Sequence, residues 1–290
     1  MNNILITGAN GQVGSELRAL AKDTTQDTFL FTDAADLDIT NEVAVKTYFA
    51  NHNITVCINC AAFTAVDKAE SEPDLAWKVN TKGAQNLALA CAKNDALLIH
   101  LSTDYVYHNN QNTPFIESDF TNPQGIYAKT KLEGDQMAMR LNPKTLILRT
   151  SWVYSSFGNN FVKTMIRLGN ERDALNVIFD QIGTPTYAKD IASTCLSIIQ
   201  SIDNQDIVEE KWKGVFHYSN EGVTSWYDFA HAIFQIKGIR CDLKAIETKD
   251  YPTPASRPHF SVLNKTKIKQ TFGISIPHWR DSLEACLQLL

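Results

Sequence analysis

The first half of the chain alternates short apolar runs with longer stretches of helical period. Residues 4–7, 29–32, 55–60, 97–102 and 145–148 read as strands. They are apolar almost throughout rather than at every second position, as expected of strands buried on both faces. Between them, residues 13–22 place Val13, Leu17 and Leu20 at spacings of four and three, the period of an amphipathic helix. Residues 42–51, 75–93 and 126–141 read as helices in the same way. Regular strand–helix alternation with short connections implies right-handed crossovers and a doubly wound parallel sheet of the α/β class. Ligands of such sheets bind beyond the C-terminal strand ends, so the chemistry is sought just after each strand.

Beyond about residue 150 the rhythm becomes irregular, with Pro185, Pro252, Pro254, Pro258 and Pro277 as punctuation. Residues 215–218 read as a strand and 225–237 as a helix, whose stripe of Trp226, Phe229, Ile233 and Phe234 is expected to be core. No internal repeat and no long linker is visible. The expected organisation is a nucleotide-binding domain over 1–150 and a smaller substrate-binding lobe over 151–290. Some segments of that lobe are expected to return to the sheet, packing against its edge and closing a cleft.

Composition narrows the field. Of 290 residues, 44% are hydrophobic and 20% charged, ordinary for a globular protein. The formal charge of −5 argues against a bulk electrostatic grip on nucleic acid. No apolar run approaches the roughly 20 residues of a membrane helix. The N-terminus lacks the basic region of a secretory signal. Six cysteines are too sparse for a disulfide scaffold. Cys57 and Cys60 form a C-x-x-C, but they lie in a strand-like run with no second pair at metal-ligand spacing, so buried reduced thiols in a cytoplasmic protein are expected.

The first predicted strand runs into Gly8-Ala9-Asn10-Gly11-Gln12-Val13-Gly14 and then a helix. This is G-x-x-G-x-x-G rather than the G-x-G-x-x-G of the common dinucleotide fingerprint, and it reads either as the phosphate loop of a Rossmann-type sheet, which its place on the first strand–turn–helix unit favours, or as a tight strand–helix turn with no ligand. Gly8 permits the turn, Gly11 lets the backbone approach a phosphate, and Gly14 lets helix and strand pack closely. The helix N-terminus offers free N–H groups to a pyrophosphate. Asp33 ends the second strand, 19 residues past Gly14, where a carboxylate accepts from a ribose hydroxyl and opposes an extra phosphate, favouring NAD over NADP. Asp38 and Ile39 are read either as the border of an adenine site or as a turn before a helix capped by Asn41.

The fourth strand ends in Ser102-Thr103-Asp104-Tyr105, and 24 residues past Thr103 comes Tyr127-Ala128-Lys129-Thr130-Lys131. Tyr127 and Lys131, four apart, share one helix face. A phenol has a pKa near 10 and is a poor acid–base group at neutrality. An ammonium about 4 Å away, at an effective dielectric of about 20, favours the phenolate by about 4 kcal/mol, or roughly three pKa units. The expectation is a Tyr127 phenol brought towards neutrality by Lys131, with the Thr103 hydroxyl orienting a substrate carbonyl. Each motif alone is weak. Their conjunction with the glycine loop is what carries the reading.

These blocks resemble the extended short-chain dehydrogenase/reductases, and within them the dTDP-4-dehydrorhamnose reductase family. The matching segments span nearly the whole chain: 8–16 (GANGQVGSE), 59–73 (NCAAFTAVDKAESEP), 100–107 (HLSTDYVY), 127–134 (YAKTKLEG), 149–154 (RTSWVY), 158–165 (GNNFVKTM) and 251–261 (YPTPASRPHFS). The resemblance implies reduction by NADPH or NADH of the 4-keto group of a dTDP-4-keto-6-deoxyhexose. It assigns Gly11, Gln12, Val13, Asp33, Asp38, Ile39, Ala62, Phe63 and Thr64 to the cofactor, along with Tyr127 and Lys131. Thr103 and Asp104 would touch the sugar and Trp152 the substrate. Arg257 would face the diphosphate or lie on the surface. Asn159, Asn160 and Phe161 would line the cleft or cap the helix they begin.

The family also implies homodimers, and in some members a magnesium ion held by acidic side chains at the subunit interface. Glu16 matches one such position. The later one falls on Lys189, followed by Asp190, and a lysine opposes a divalent cation, so no metal is expected. Two other readings stay open. The same superfamily contains sugar-nucleotide epimerases and dehydratases that regenerate their NAD within each cycle. Relatives of the reductase also serve as non-catalytic regulatory partners of methionine adenosyltransferase, against which the intact Thr103, Tyr127 and Lys131 set argues.

Overall fold

A computed structural model describes residues 1–23 and 26–290. Six strands, β1 (Asn3–Thr7), β2 (Thr28–Thr32), β3 (Val56–Asn59), β4 (Leu97–Thr103), β5 (Thr145–Thr150) and β6 (Gly214–His217), form one sheet. Its order is β6-β5-β4-β3-β1-β2 and every pairing is parallel. The order reverses between β1 and β3, which opens a crevice beyond the C-terminal ends of those strands.

Helices α1 (Gln12–Leu20), α2 (Glu42–His52), α3 (Ala84–Lys93), α4 (Ile126–Leu141) and α5 (Ala188–Asp203) cover the sheet. Successive strand side chains point to opposite faces. Ile4, Ile6, Val56 and Ile58 therefore meet Leu17 of α1 and Ile191, Cys195 and Ile198 of α5. Leu5, Cys57 and Leu98 meet Phe49 of α2, Leu87 and Cys91 of α3 and Ala138 of α4 on the other side. This two-sided burial explains the unbroken apolar runs. All six cysteines are free thiols.

The predicted helix over 75–93 is three pieces: Pro73–Trp77, a π-helical turn Lys78–Gly83, and α3. The wide turn seats Asn80, whose amide accepts from the Phe63 N–H at 2.8 Å and donates to the Thr130 hydroxyl at 3.1 Å. Gly134 of α4 lies so close that a Cβ there would stand 2.3 Å from the Asn80 carbonyl oxygen.

The second half does more than pack against the sheet edge. The predicted strand at 215–218 is β6, hydrogen-bonded beside β5, and α5 lies across a sheet face rather than at its edge. The remainder builds a separate core of Val162, Met165, Leu175, Phe229, Ile233 and Leu283. The parallel pair Ala174–Ile178 and Asp242–Ile246 and the helices Phe161–Glu171, Trp226–Lys237 and Trp279–Leu287 supply it.

Candidate active site

Between the C-terminal strand ends and this smaller core lies a cavity of about 860 Å³. Gly8, Gly11, Gln12, Val13, Asp33, Asp38, Ile39, Ala62, Phe63 and Thr64 line one part. Thr103, Asp104, Tyr127, Lys131, Trp152 and Asn160 line the same cavity. All the residues expected at the site except Gly14, Phe161 and Arg257 thus converge on one space.

The glycine loop is built for close approach. Gly8 has φ +63°, and a Cβ on it would stand 2.7 Å from the Ala61 backbone. Gly14 is not in the cavity wall. Its hydrogen is needed because a Cβ would meet the Gly8 carbonyl oxygen at 2.5 Å. Gly11 caps α1 without a side chain, so the first N–H groups of that helix have no side-chain partner. Such an N-terminus, beside a loop no side chain can fill, fits a dinucleotide pyrophosphate. The Asp33 carboxylate accepts from the Ala34 and Asn10 amides at 2.7 and 3.3 Å at the end of β2. Asp38 accepts from the Thr40 N–H and hydroxyl, making the turn before Asn41, which caps α2. The turn and the cavity wall, held apart as alternatives, coexist here.

Thr103 ends β4; its hydroxyl donates to the Asp104 carboxylate at 3.2 Å, accepts from the Tyr105 N–H at 3.2 Å and lies near the Tyr127 phenol. Tyr127 sits in the first turn of α4, whose N-terminus begins at Gly125 (φ +66°) and is capped from outside: Glu70 accepts from the Ile126 N–H at 2.7 Å. Lys131 is almost wholly buried and donates to the Leu101 carbonyl at 2.7 Å. Burial pushes the Tyr127 phenol up to about 12, against a smaller opposing effect of the nearby Thr103 hydroxyl. The expected lowering by Lys131 is absent from this arrangement. The lysine nitrogen is drawn to the end of β4, and burial brings Lys131 itself down to about 8. Asp104 is also buried and is pushed up to about 7, with one carboxylate oxygen unpartnered.

Trp152, at φ +46°, stacks on Trp226 with ring centroids 3.6 Å apart and planes 8° from parallel. Trp226 was expected in the core with Phe229, Ile233 and Phe234. Those three are core; Trp226, the first residue of its helix, is partly buried, packs against that core and also lines the cavity. Asn160 both caps the helix Phe161–Glu171 and donates to Gln12 at 2.9 Å, joining the glycine loop to the lobe. Asn159 lines the cavity, whereas Phe161 packs with the lobe core. Arg257 is outside the cavity wall. Its guanidinium is spent on a two-point pair with Asp67, at 3.0 and 2.7 Å, which ties the proline-rich loop to the helix Val66–Ser71. Thr150, at the end of β5 opposite Thr103, was missed because that strand was read as ending at Leu148. Its buried hydroxyl lines the cavity without a partner.

Glu16 lies on α1 with Lys189 and Asp190 of α5 nearby. Its buried carboxylate accepts from Ser155 at 2.6 Å and lies near Lys189. No group of three or more His, Cys, Asp or Glu side chains among the described residues could hold an ion.

Comparison with known proteins decides the family. A family model described as the RmlD substrate binding domain matches residues 1–290. The dTDP-4-dehydrorhamnose reductase of Aggregatibacter actinomycetemcomitans is 44% identical, with 98% of each chain covered. The chain belongs to the dTDP-4-dehydrorhamnose reductase family. Among solved structures, the family member of Clostridium acetobutylicum superposes with a TM-score of 0.93 at 44% identity, covering 99% of both chains. That of Bacillus anthracis, in complex with NADP, gives 0.93 at 35% identity, covering 100% of this chain and 99% of that one.

Proposed function

We propose that this chain is an NAD(P)H-dependent oxidoreductase. It reduces the 4-keto group of dTDP-4-dehydro-β-L-rhamnose to give dTDP-L-rhamnose, a step of nucleotide-sugar supply for polysaccharide synthesis. The observation that carries the reading is the shared cavity: Thr103, Tyr127 and Lys131 open into the same space as the uncapped start of α1. The glycine loop, Asp33, Asp38, Ile39 and the Ala62–Thr64 segment hold the cofactor. When bound, the reduced nicotinamide supplies the hydride that becomes the new C4–H bond. Thr103 holds the ketone oxygen and Tyr127 delivers the proton that turns it into a hydroxyl. A phenol kept protonated by burial is the right form for that donation. Lys131 stands on the same helix face one turn on. Asp104, Asn160 and the Trp152–Trp226 stack bound the sugar-nucleotide side, where a flat indole suits the apolar face of a pyranose. Arg257 shapes that rim through Asp67. The reading includes the family's homodimer, tested by mass in solution, and the cytoplasm, in keeping with the finding that no described helix is long and apolar enough to cross a membrane.

The test is incubation of the purified protein with the 4-keto sugar nucleotide and NADH or NADPH. One reduced cofactor is consumed per product formed, and NMR of the sugar gives the stereochemistry at C4. Catalytic rather than stoichiometric cofactor use would point to an epimerase or dehydratase. Asp33 predicts a higher kcat/KM with NADH.

A further inference from the structure

Under the reductase reading Tyr127 gives its proton from the first turn of α4, and nothing in the local sequence holds that turn. A helix is usually capped by the side chain of a Ser, Thr, Asp or Asn. Here the cap position is Gly125, and the first turn contains no acidic residue. The side chain of Gln124, just before it, is turned away and donates to Asn122. The hold comes instead from 56 residues upstream, where Glu70 Oε1 accepts from the Ile126 N–H at 2.7 Å. Gly125 is shaped to admit that oxygen. It takes φ +66°, and a Cβ on it would stand 2.7 Å from Glu70 Oε1. A glycine where a capping side chain belongs, and a carboxylate reaching in from another helix, are complementary parts of one contact.

Glu70 is itself anchored. Its helix, Val66–Ser71, is pinned by the wholly buried Ala69. Asp67 on the same helix accepts from the Ala255 N–H at 3.1 Å, beside its pair with Arg257. Further along, Asn80 donates to the Thr130 hydroxyl at 3.1 Å and Thr81 to the Thr130 carbonyl at 3.0 Å, which fixes the second turn of α4. Tyr127 lies between these two holds. We propose that Glu70 is a positioning residue for Tyr127: as the cap that α4 lacks, its carboxylate fixes the first helical turn and with it the place of the phenol in the cavity. Without Glu70 the Ile126 N–H loses its partner and the first turn frays, while the anchor at Thr130 keeps the rest of the helix in place. The phenol then leaves Tyr105, against whose ring it packs edge-on with centroids 5.8 Å apart.

The effect on turnover rests on the reductase reading, whereas the cap belongs to the free protein and is measured there. Hydrogen exchange is expected to show a protected Ile126 amide in the wild type. Glu70→Ala is expected to speed that exchange by about five- to tenfold, the equivalent of one lost cap. It should also weaken the cross-relaxation between the Tyr105 and Tyr127 rings, assigned by loss in Tyr105→Phe and Tyr127→Phe. Glu70→Gln keeps an acceptor oxygen and is expected to restore both. With the 4-keto sugar nucleotide, kcat of Glu70→Ala is expected to fall by about 10–10²-fold, the cost of a misplaced reacting group, and that of Glu70→Gln by less than about threefold. The dissociation constant of NADP⁺, titrated calorimetrically, should stay within about twofold in both, because only the reacting geometry is disturbed. A variant that is merely less stable would keep its kcat per folded molecule. Lys68→Ala, which breaks an exposed pair with Glu72 at 3.1 Å, is the comparison and is expected to change neither exchange nor kcat. An Ile126 amide that exchanges freely in the wild type overturns the proposal whether or not any variant folds. So does a Glu70→Gln protein that behaves like Glu70→Ala, a folded Glu70→Ala with full kcat, or a Lys68→Ala with the same defects. A wild type that shows the expected exchange and ring contact but does not turn over the keto sugar would leave the cap standing and count against the reductase reading.

Discussion

A phenol can serve a reduction only while it keeps its proton. Helical spacing alone suggests that Lys131 strips Tyr127 of that proton near neutrality, but spacing fixes only where the two backbones stand. It does not fix where a four-carbon side chain ends. Here Lys131 reaches across to the Leu101 carbonyl, and burial dominates the phenol, pushing it up to about 12. Tyr127→Phe removes the proton and little else. Turnover is expected to fall by about 10²–10⁴-fold, the usual worth of a positioned general acid. Cofactor binding, followed by quenching of protein fluorescence, is expected to persist within a few-fold. Near-normal kcat in that variant would remove Tyr127 from the reaction. Thr103→Val deletes the hydroxyl beside the phenol, which also donates to Asp104, and tests the same geometry from its other end.

At the scale of elements, the loop joining β1 to α1 tolerates no side chain at its first glycine. Gly8→Ala forces a residue with φ +63° against the Ala61 backbone at 2.7 Å. Cofactor affinity should drop by at least about tenfold and the melting temperature should fall, because both backbones would have to separate. Gly134→Ala is its counterpart away from the phosphates. A Cβ 2.3 Å from the Asn80 carbonyl oxygen pushes α4 off the π-helical turn, at a cost of about 1–3 kcal/mol in a urea melt. These elements also show what a sequence can disclose. The five strands of the first half were legible because burial on both faces leaves an unbroken apolar signature, and α4 was legible to the residue. The π-helical turn was not, since its cause is a tertiary contact of Asn80. Neither was α5, which is amphipathic but follows a stretch broken by Pro185. Among the site residues, those beside strand ends or in the glycine loop were readable from topology. The cavity-facing side of Trp226 was not, because the first residue of an apolar helical stripe, which does pack on the core, shows its second face only once the lobe's position is known. Arg257 looked like an anion ligand because the local sequence does not reveal its partner, 190 residues away.

For the molecule as a whole, the site sets up a conflict between stability and use. Asp104 is shielded from water, one of its oxygens has no partner, and its carboxyl sits at about 7. Its folded-state pKa is thus raised above the unfolded value near 3.8. The stability it contributes is fully present below pH 3.8 and is lost as pH rises through about 7. His217 runs the other way. It is held neutral by burial with a folded value of about 3, below the unfolded 6.5, so its contribution is present above pH 6.5 and is lost as pH falls towards 3. His100, also lowered by burial, adds to that acid side. Between pH 4 and 6.5 the contributions of Asp104 and His217 oppose each other. Asp104→Asn separates them, because it removes the group that must ionise in the dry cavity while keeping its shape. At pH 8 the variant is expected to be more stable than the wild type, by at most about 4 kcal/mol, the equivalent of a three-unit shift. At pH 3.5 the difference should vanish, while the acid-side loss due to His217 and His100 remains. Melting curves of both proteins across that range provide the check. A variant that is not stabilised at pH 8 would mean that water or a counter-charge reaches Asp104 in the free protein, and that the cavity is wetter at the sugar end than its burial implies.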